Sequence, residues 1–281
     1  MIVPTRTRVI RHSLLLMIFL IMVFPIYIAF VASTHSLERI MHPPFPLLPG
    51  RYFFETYGNL LFGSVNSLGD VRISKMLLNS AIMAFGIAFG KIFISLLSAY
   101  AIVFFRFPLR MFFFWMIFFT LMLPVEVRIV PTFHIAAQLN LLDSYAGLIL
   151  PLIASATATF LFRQFFMTIP KEMVEAAKMD ASGPIRFFWK ILLPMSRTNI
   201  AALFVILFLY GWNQYLWPLL ITNNEDMMTI VISIKKMLSA EDSEIEWSYL
   251  MATSLLALIP PVTVVLMLQR LFIKGLIDSE K

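Results

Sequence analysis

A chain of 281 residues that is 60% hydrophobic and only 14% charged carries more apolar surface than a soluble domain of its length can hide, since soluble domains are roughly a quarter charged. The absence of cysteine excludes disulfides and thiolate metal sites. The formal net charge of +6 falls on basic residues lying between apolar runs instead of in one block, which argues against a nucleic-acid face and fits loops that orient a membrane protein.

A spanning helix needs roughly 20 mostly apolar residues, and six such runs follow in order. The first, residues 13–33, is uncharged and preceded by Arg6, Arg8 and Arg11. It exceeds the apolar core of about 7–15 residues usual in a signal peptide. Residues 34–74 hold Pro43, Pro44, Pro46, Pro49 and Gly50 and read as an external loop that begins extended and rich in turns. The second run, 76–105, is interrupted only by Lys91, and the third, 109–130, takes in Glu126 and Arg128 near its end. The fourth is 144–166, the fifth 198–221 and the sixth 247–270. The 28 phenylalanines and 18 methionines read as lipid-facing and helix-packing residues. The expected fold is an all-α membrane protein of six transmembrane helices in a single domain. Counting Lys and Arg by loop gives fourteen on the side of the N-terminus against seven opposite, which predicts both termini in the cytoplasm.

The cytoplasmic stretch 167–197 between the fourth and fifth runs is the most informative. Pro170 suits the first turn of a helix, and Glu172 and Glu175 lie near the positive end of its dipole. Gly183-Pro184 stops it, so the spacing predicts a short helix over about 170–182. A second segment, Ile185–Leu193, is expected to end at Pro194. The adjacent alanines Ala176 and Ala177 remove bulk and let another surface approach. In an ordinary interfacial helix, Glu175 would pair with Lys171 or Lys178 at helical spacing.

The order here is Glu175-Ala176-Ala177, three residues ending at Asp180, Ala181, nine residues, then Ile191-Leu192-Leu193-Pro194. It resembles the EAA loop of the permeases of ATP-binding-cassette (ABC) importers, with Ala181 where that pattern has glycine. The resemblance implies a coupling helix seated in a groove of a cytoplasmic ATPase, with Glu175 meeting a basic residue of that partner and Ala176 and Ala177 permitting the fit. Asp180, Ala181, Gly183, Leu193 and Pro194 complete the motif, and the turn falls either at Ala181 or at Gly183. This chain has no phosphate-binding loop of its own. The nearest approach, Gly86 to Ile92, has the wrong spacing and sits inside the second run. The ATPase, expected in two copies, is therefore another chain. The resemblance also implies a second homologous permease subunit, a periplasmic solute-binding protein and contact with membrane lipid. It implies no cofactor, metal, nucleic acid or catalysis in this chain.

Leu123 to Pro131, Leu142 to Leu148 and Gly211 to Leu219 resemble the carbohydrate-uptake branch of these permeases. The stretches Phe107 to Arg128 and Ala154 to Thr168 resemble more closely the glycerol-phosphate permeases within it. The implied solute is sn-glycerol-3-phosphate or a related glycerophosphodiester, the alternative being a neutral sugar, oligosaccharide or polyol. A phosphate ester needs cationic or dipolar donors on its path. If the third run is one straight helix, Arg128 lies about 27 Å beyond Arg110 at about 1.5 Å per residue. There it either snorkels to water or pairs with Glu126, or lines the outer mouth of a path. Lys91, near the middle of a span, either forms an ion pair or meets the solute. Asn213 and Gln214 either bond between helices or line the path, as the fifth helix does in these permeases.

Two other classes fit less well. An intramembrane enzyme should cluster its acids and histidines, but His12, His35, His42 and His134 are scattered. A channel has no use for the Glu-Ala-Ala loop.

Overall fold

The computed structural model describes residues 5–63, 72–120, 123, 125–180, 183–239 and 246–278. Every regular element among them is helical: α1 (Thr5–Ser33), α2 (Leu37–Met41), α3 (Phe53–Phe62), α4 (Ile73–Phe104), α5 (Arg110–Phe119), α6 (Val125–Gln138), α7 (Tyr145–Ile149), α8 (Ala156–Met167), α9 (Lys171–Met179), α10 (Pro184–Phe187), α11 (Leu193–Met195), α12 (Arg197–Trp212), α13 (Leu216–Ile221), α14 (Ile230–Leu238) and α15 (Trp247–Asp278). Ile10–Ser33, Ile73–Phe104 and Trp247–Gln269 are each long and apolar enough to cross a membrane unbroken. Two further crossings would be bent pairs, Tyr145–Leu152 with Ala156–Met167 at 50° and Pro184–Met195 with Arg197–Trp212 at 73°. The helix Arg110–Phe119 is apolar but shorter.

The departures from straight spans have local causes. The stretch 109–130 is not one helix: α5 ends at Phe119 and α6 starts afresh at Val125. The straight-helix reach of about 27 Å for Arg128 therefore does not apply. Pro151 sits in a 3-10 turn after α7, and the Ser155 side chain then accepts the Ala158 N–H to start α8 in a new direction. The stop expected at Pro194 falls one residue later. A π-helical turn over Phe188–Leu192 carries the Leu193 N–H to the Phe188 carbonyl, and the helical run passes through Pro194 and ends at Met195. The Ser196 hydroxyl donates to the Leu192 carbonyl at 2.6 Å, and the chain turns by 73° into α12.

The chain divides into two compact units. One comprises the described residues of 1–77 and 230–259. Thr34 is its knot: its hydroxyl donates to the Val31 carbonyl and accepts the Gly50 N–H at 2.8 Å, while its carbonyl accepts the Tyr52 N–H. A side chain at Gly50 would collide with that carbonyl. The Ser248 hydroxyl donates to the His35 carbonyl at 2.6 Å, and the Asn59 amide to the Tyr249 hydroxyl at 3.2 Å. Along α1 the residues Leu14, Leu15, Phe19 and Met22 stay exposed, as expected of a surface that meets lipid or another helix.

The other unit comprises the described residues of 78–229 and 260–281. Met83, Ile87, Ala136, Leu148, Trp217 and Ile221 form its core. Helices in lipid gain little from hiding apolar groups, so close backbone approach becomes the main source of packing. Glycines provide it: Gly86 faces Ile149, Gly90 faces Ile153, and a Cβ on Gly211 would stand 2.9 Å from the Ala84 Cα. The indole of Trp217 donates to the Gly147 carbonyl at 3.1 Å. Asn79 is tied on both sides, its amide donating to the Asp226 and Met228 carbonyls and its oxygen accepting the Tyr145 hydroxyl at 2.7 Å. Asp143 adopts a left-handed backbone with φ 50°. Its carboxylate accepts the N–H groups of Asn223 at 2.6 Å and Asn224 at 2.8 Å, while its own N–H donates to the Ile221 carbonyl.

Candidate functional site

Lys91 lies on α4 one residue beyond Gly90, whose missing side chain lets Ile153 press close. It is buried, with 6% of its surface exposed. Its ammonium stands 3.6 Å from the centre of the Tyr210 ring on the last turns of α12. No carboxylate among the described residues pairs with it. The helix that carries Tyr210 stops at Trp212 and restarts at Leu216, so Asn213 and Gln214 lie in a break and not inside a continuous span. The Gln214 side-chain amide donates back to the Tyr210 carbonyl at 3.2 Å. That fixes the break one turn from the cation.

Around this break lies a cavity of about 390 Å³, within the ordinary range for a small-molecule site of roughly 300–1,000 Å³. Lys91, Arg128, Asn213 and Gln214 all line it, joined by Thr132, Tyr210 and Tyr215. The four residues singled out from the sequence as path candidates are thus brought together. Arg128 comes from α6, where the Thr132 hydroxyl donates to its carbonyl at 2.7 Å. Among the described residues the lining holds two cations and no carboxylate. Like charges facing one space repel, and an anion placed between them relieves that repulsion. Hydroxyl and amide groups supply neutral hydrogen bonds beside the charges, while Leu152, Leu216 and Trp217 supply apolar walls. Such a lining suits a small anion bearing hydroxyl groups.

Tyr210, Thr132 and Tyr215 went unnoticed in the sequence. Tyr210 and Gln214 stand four apart, the one local sign. Nothing in the sequence ties Tyr210 to Lys91, which lies on another helix.

The Glu-Ala-Ala stretch falls on α9. Glu175 and Ala176 are exposed, Ala177 is buried, and Asp180 is exposed in the turn that follows. The two alanines therefore differ. Ala177 lines a small apolar cavity of about 180 Å³ with Tyr100, Phe104, Val174 and Phe187, whereas Ala176 stays on the outer face beside Glu175. Glu175 pairs with no described cation, Lys171 included; the Lys178 side chain and all of Ala181 lie outside the described residues. Gly183 caps α10 with φ −64° and ψ 164°, a conformation open to any residue. The Tyr100 hydroxyl donates to the Pro184 carbonyl at 2.9 Å, which fastens the end of the loop to α4. Leu193 and Pro194 are half-buried.

Described residues that are all helical where regular, with broken helices around a cation-lined cavity and a short amphipathic helix displaying an exposed carboxylate, define a membrane transport component. The family described as "Binding-protein-dependent transport system inner membrane component" matches residues 91–278, and the chain belongs to that family. The sn-glycerol-3-phosphate transport system permease protein UgpE of Rhizobium meliloti (strain 1021) is 58% identical to it over 98% of both chains. The protein of the same description from Brucella melitensis biotype 1 is 56% identical over 98% of both. That from Yersinia pestis bv. Antiqua (strain Antiqua) is 55% identical over 96% of both. A solved chain described as "Crystal structure of a bacterial ABC transporter involved in the import of the acidic polysaccharide alginate" shares the fold, with a TM-score of 0.79 at 24% identity over 96% of this chain and 99% of that one. The chain is thus a non-catalytic inner-membrane subunit of an ABC importer, a complex that also contains an ATPase and other subunits.

Proposed function

We propose that this chain is one of two homologous permease subunits that together carry sn-glycerol-3-phosphate, or a related glycerophosphodiester, across the inner membrane. The observation that carries this reading is the cavity of about 390 Å³ lined by Lys91 and Arg128, with no carboxylate among the described lining residues. A phosphate leaving water must exchange its hydration for charged or dipolar donors. Lys91 and Arg128 take the phosphate, and Thr132, Asn213, Gln214 and Tyr215 take the glycerol hydroxyls. The relatives that are named for sn-glycerol-3-phosphate transport agree with this chemistry.

The rest of the reading follows from the loops. Six spans place both termini in the cytoplasm and residues 34–74 outside, the third span being assembled from α5 and α6. The stretch 167–197 then faces two copies of the cytoplasmic ATPase. Glu175 offers its exposed carboxylate to a basic residue of that partner, and Ala176 keeps the outer face of α9 low. A periplasmic binding protein delivers the solute, ATP hydrolysis in the partner drives alternating access, and this chain supplies the path.

The test is ATP-driven uptake by the complete complex in proteoliposomes supplied with its binding protein. Labelled sn-glycerol-3-phosphate should enter and be displaced by other glycerophosphate esters, with free glycerol failing to compete. Uptake of a neutral polyol that is indifferent to added phosphate esters would overturn the reading.

A further inference from the structure

A buried lysine in a membrane protein usually answers to a carboxylate. Lys91 answers to an aromatic ring. Its ammonium lies 3.6 Å from the centre of the Tyr210 ring, the residue is 6% exposed, and among the described residues no acid lines the cavity it shares with Arg128. We propose that Tyr210 is a specificity-determining residue of the permease, its ring holding the Lys91 ammonium in place while leaving that charge uncompensated for an anionic phosphate ester. This rests on the reading of the cavity as a phosphate-ester site.

Each kind of partner would act differently on the ammonium. A carboxylate beside Lys91 would hold the ammonium well but cancel the net charge, and it would compete with the solute's phosphate for the same protons. A purely aliphatic neighbour would leave the charge free but unsupported, and the flexible lysine stem would carry it toward water. An aromatic face attracts a cation through its quadrupole and has no net charge. It therefore positions the ammonium without answering it. Tyr210 is itself well held for this task. Its carbonyl accepts the Gln214 side-chain amide at 3.2 Å. The next residue, Gly211, abuts the Ala84 backbone on α4, the helix that carries Lys91. The two helices thus meet backbone to backbone beside Tyr210, about two turns of α4 before Lys91. The hydroxyl of Tyr210 has no part in the argument; the ring face alone matters.

The experiment uses the complete complex with its partner subunits. It measures ATP-driven uptake of sn-glycerol-3-phosphate per assembled complex, counted by copurified ATPase. Wild type is compared with Tyr210→Phe, Tyr210→Leu, Lys91→Gln and the double variant Tyr210→Leu with Lys91→Gln. Tyr210→Phe should stay within about twofold of wild type, and Tyr210→Leu should fall roughly tenfold, the loss of a desolvated cation–ring contact. In the Lys91→Gln background, Tyr210→Leu should add less than about twofold, because the ring acts through the ammonium. Wild-type uptake by Tyr210→Leu, or an equal further loss in the Lys91→Gln background, would overturn the proposal. Should Tyr210→Leu fail to assemble, phenylalanines of increasing fluorination at position 210 keep the shape and weaken the ring face. A graded decline supports the proposal and a flat series overturns it. If the wild-type complex carries no sn-glycerol-3-phosphate at all, the reading of the cavity itself falls first, a result distinct from any of these.

Discussion

The cavity around Lys91 and the helix α9 carry their charges in opposite ways. In the cavity a cation is buried, held over a ring, and walled by helices that approach through Gly90 and Gly211. On α9 the charges of Lys171, Glu172 and Glu175 are exposed, and among its described side chains only Ala177 is buried. A buried charge is costly and persists where the surrounding chain fixes it. An exposed one is cheap and gains meaning from whatever docks against it. On the proposed reading, the solute side of this subunit is therefore largely written in its own packing, while the coupling side is completed by another chain.

That contrast can be broken or sharpened by substitution. Gly211→Val should have the largest effect. Its Cβ would stand 2.9 Å from the Ala84 Cα, and overpacking of this kind costs about 1–3 kcal/mol or more. Thermal unfolding of the detergent-solubilised complex should shift down, with little assembled protein recovered. Lys91→Gln should assemble normally but lower phosphate-ester uptake roughly 10- to 100-fold, the worth of about 1.5–3 kcal/mol for a charged hydrogen bond. Glu175→Lys should lower uptake roughly tenfold by opposing like charges at the docking face, while the stability of the chain itself moves within about 0.5 kcal/mol. Loss of the folded subunit would make Glu175 a structural residue and erase the distinction drawn above. Arg128→Gln, at an exposed position, should cost only about threefold in uptake, in line with the modest worth of exposed charges. An effect equal to that of Lys91→Gln would mean that burial does not rank the two cations. Gly183→Ala should be silent in both uptake and melting, since nothing lies within 4 Å of a Cβ there.

The all-helical class was legible because apolar runs of spanning length admit few other structures in lipid. The breaks were not. An apolar run reads the same whether its helix is straight, bent at Pro151 or stopped at Trp212, because hydropathy records what the solvent is and not where hydrogen bonding is interrupted. Near Pro194 the end of the segment was legible to within one residue, but the π-helical turn just before it was not, a device with no sequence signature of its own. In the cavity, Lys91, Arg128, Asn213 and Gln214 stood out as polar side chains in apolar surroundings, and the structure gathers them around one space. Tyr210 was hidden by company. In a chain with 28 phenylalanines and 8 tyrosines, an aromatic residue on a helix carries no signal until a cation is seen above its ring. The split between Ala176 and Ala177 was equally invisible, since neighbours in sequence point to different sides of a helix and only packing decides which side is inward.

The tie at Asp143 has a consequence for the growing chain. Its carboxylate is answered by the backbone of Asn223 and Asn224, 80 and 81 residues later. At roughly 5–20 residues per second of synthesis, that leaves on the order of 4–16 seconds in which the turn before α7 has emerged and its closing strap has not. During that interval the carboxylate is hydrated and α7 lacks the Trp217 indole that later bonds Gly147. This end of the cavity is thus finished late in translation, when α13 arrives, and a pause or truncation upstream of residue 216 would leave a chain whose earlier helices are made but whose cavity is open on one side.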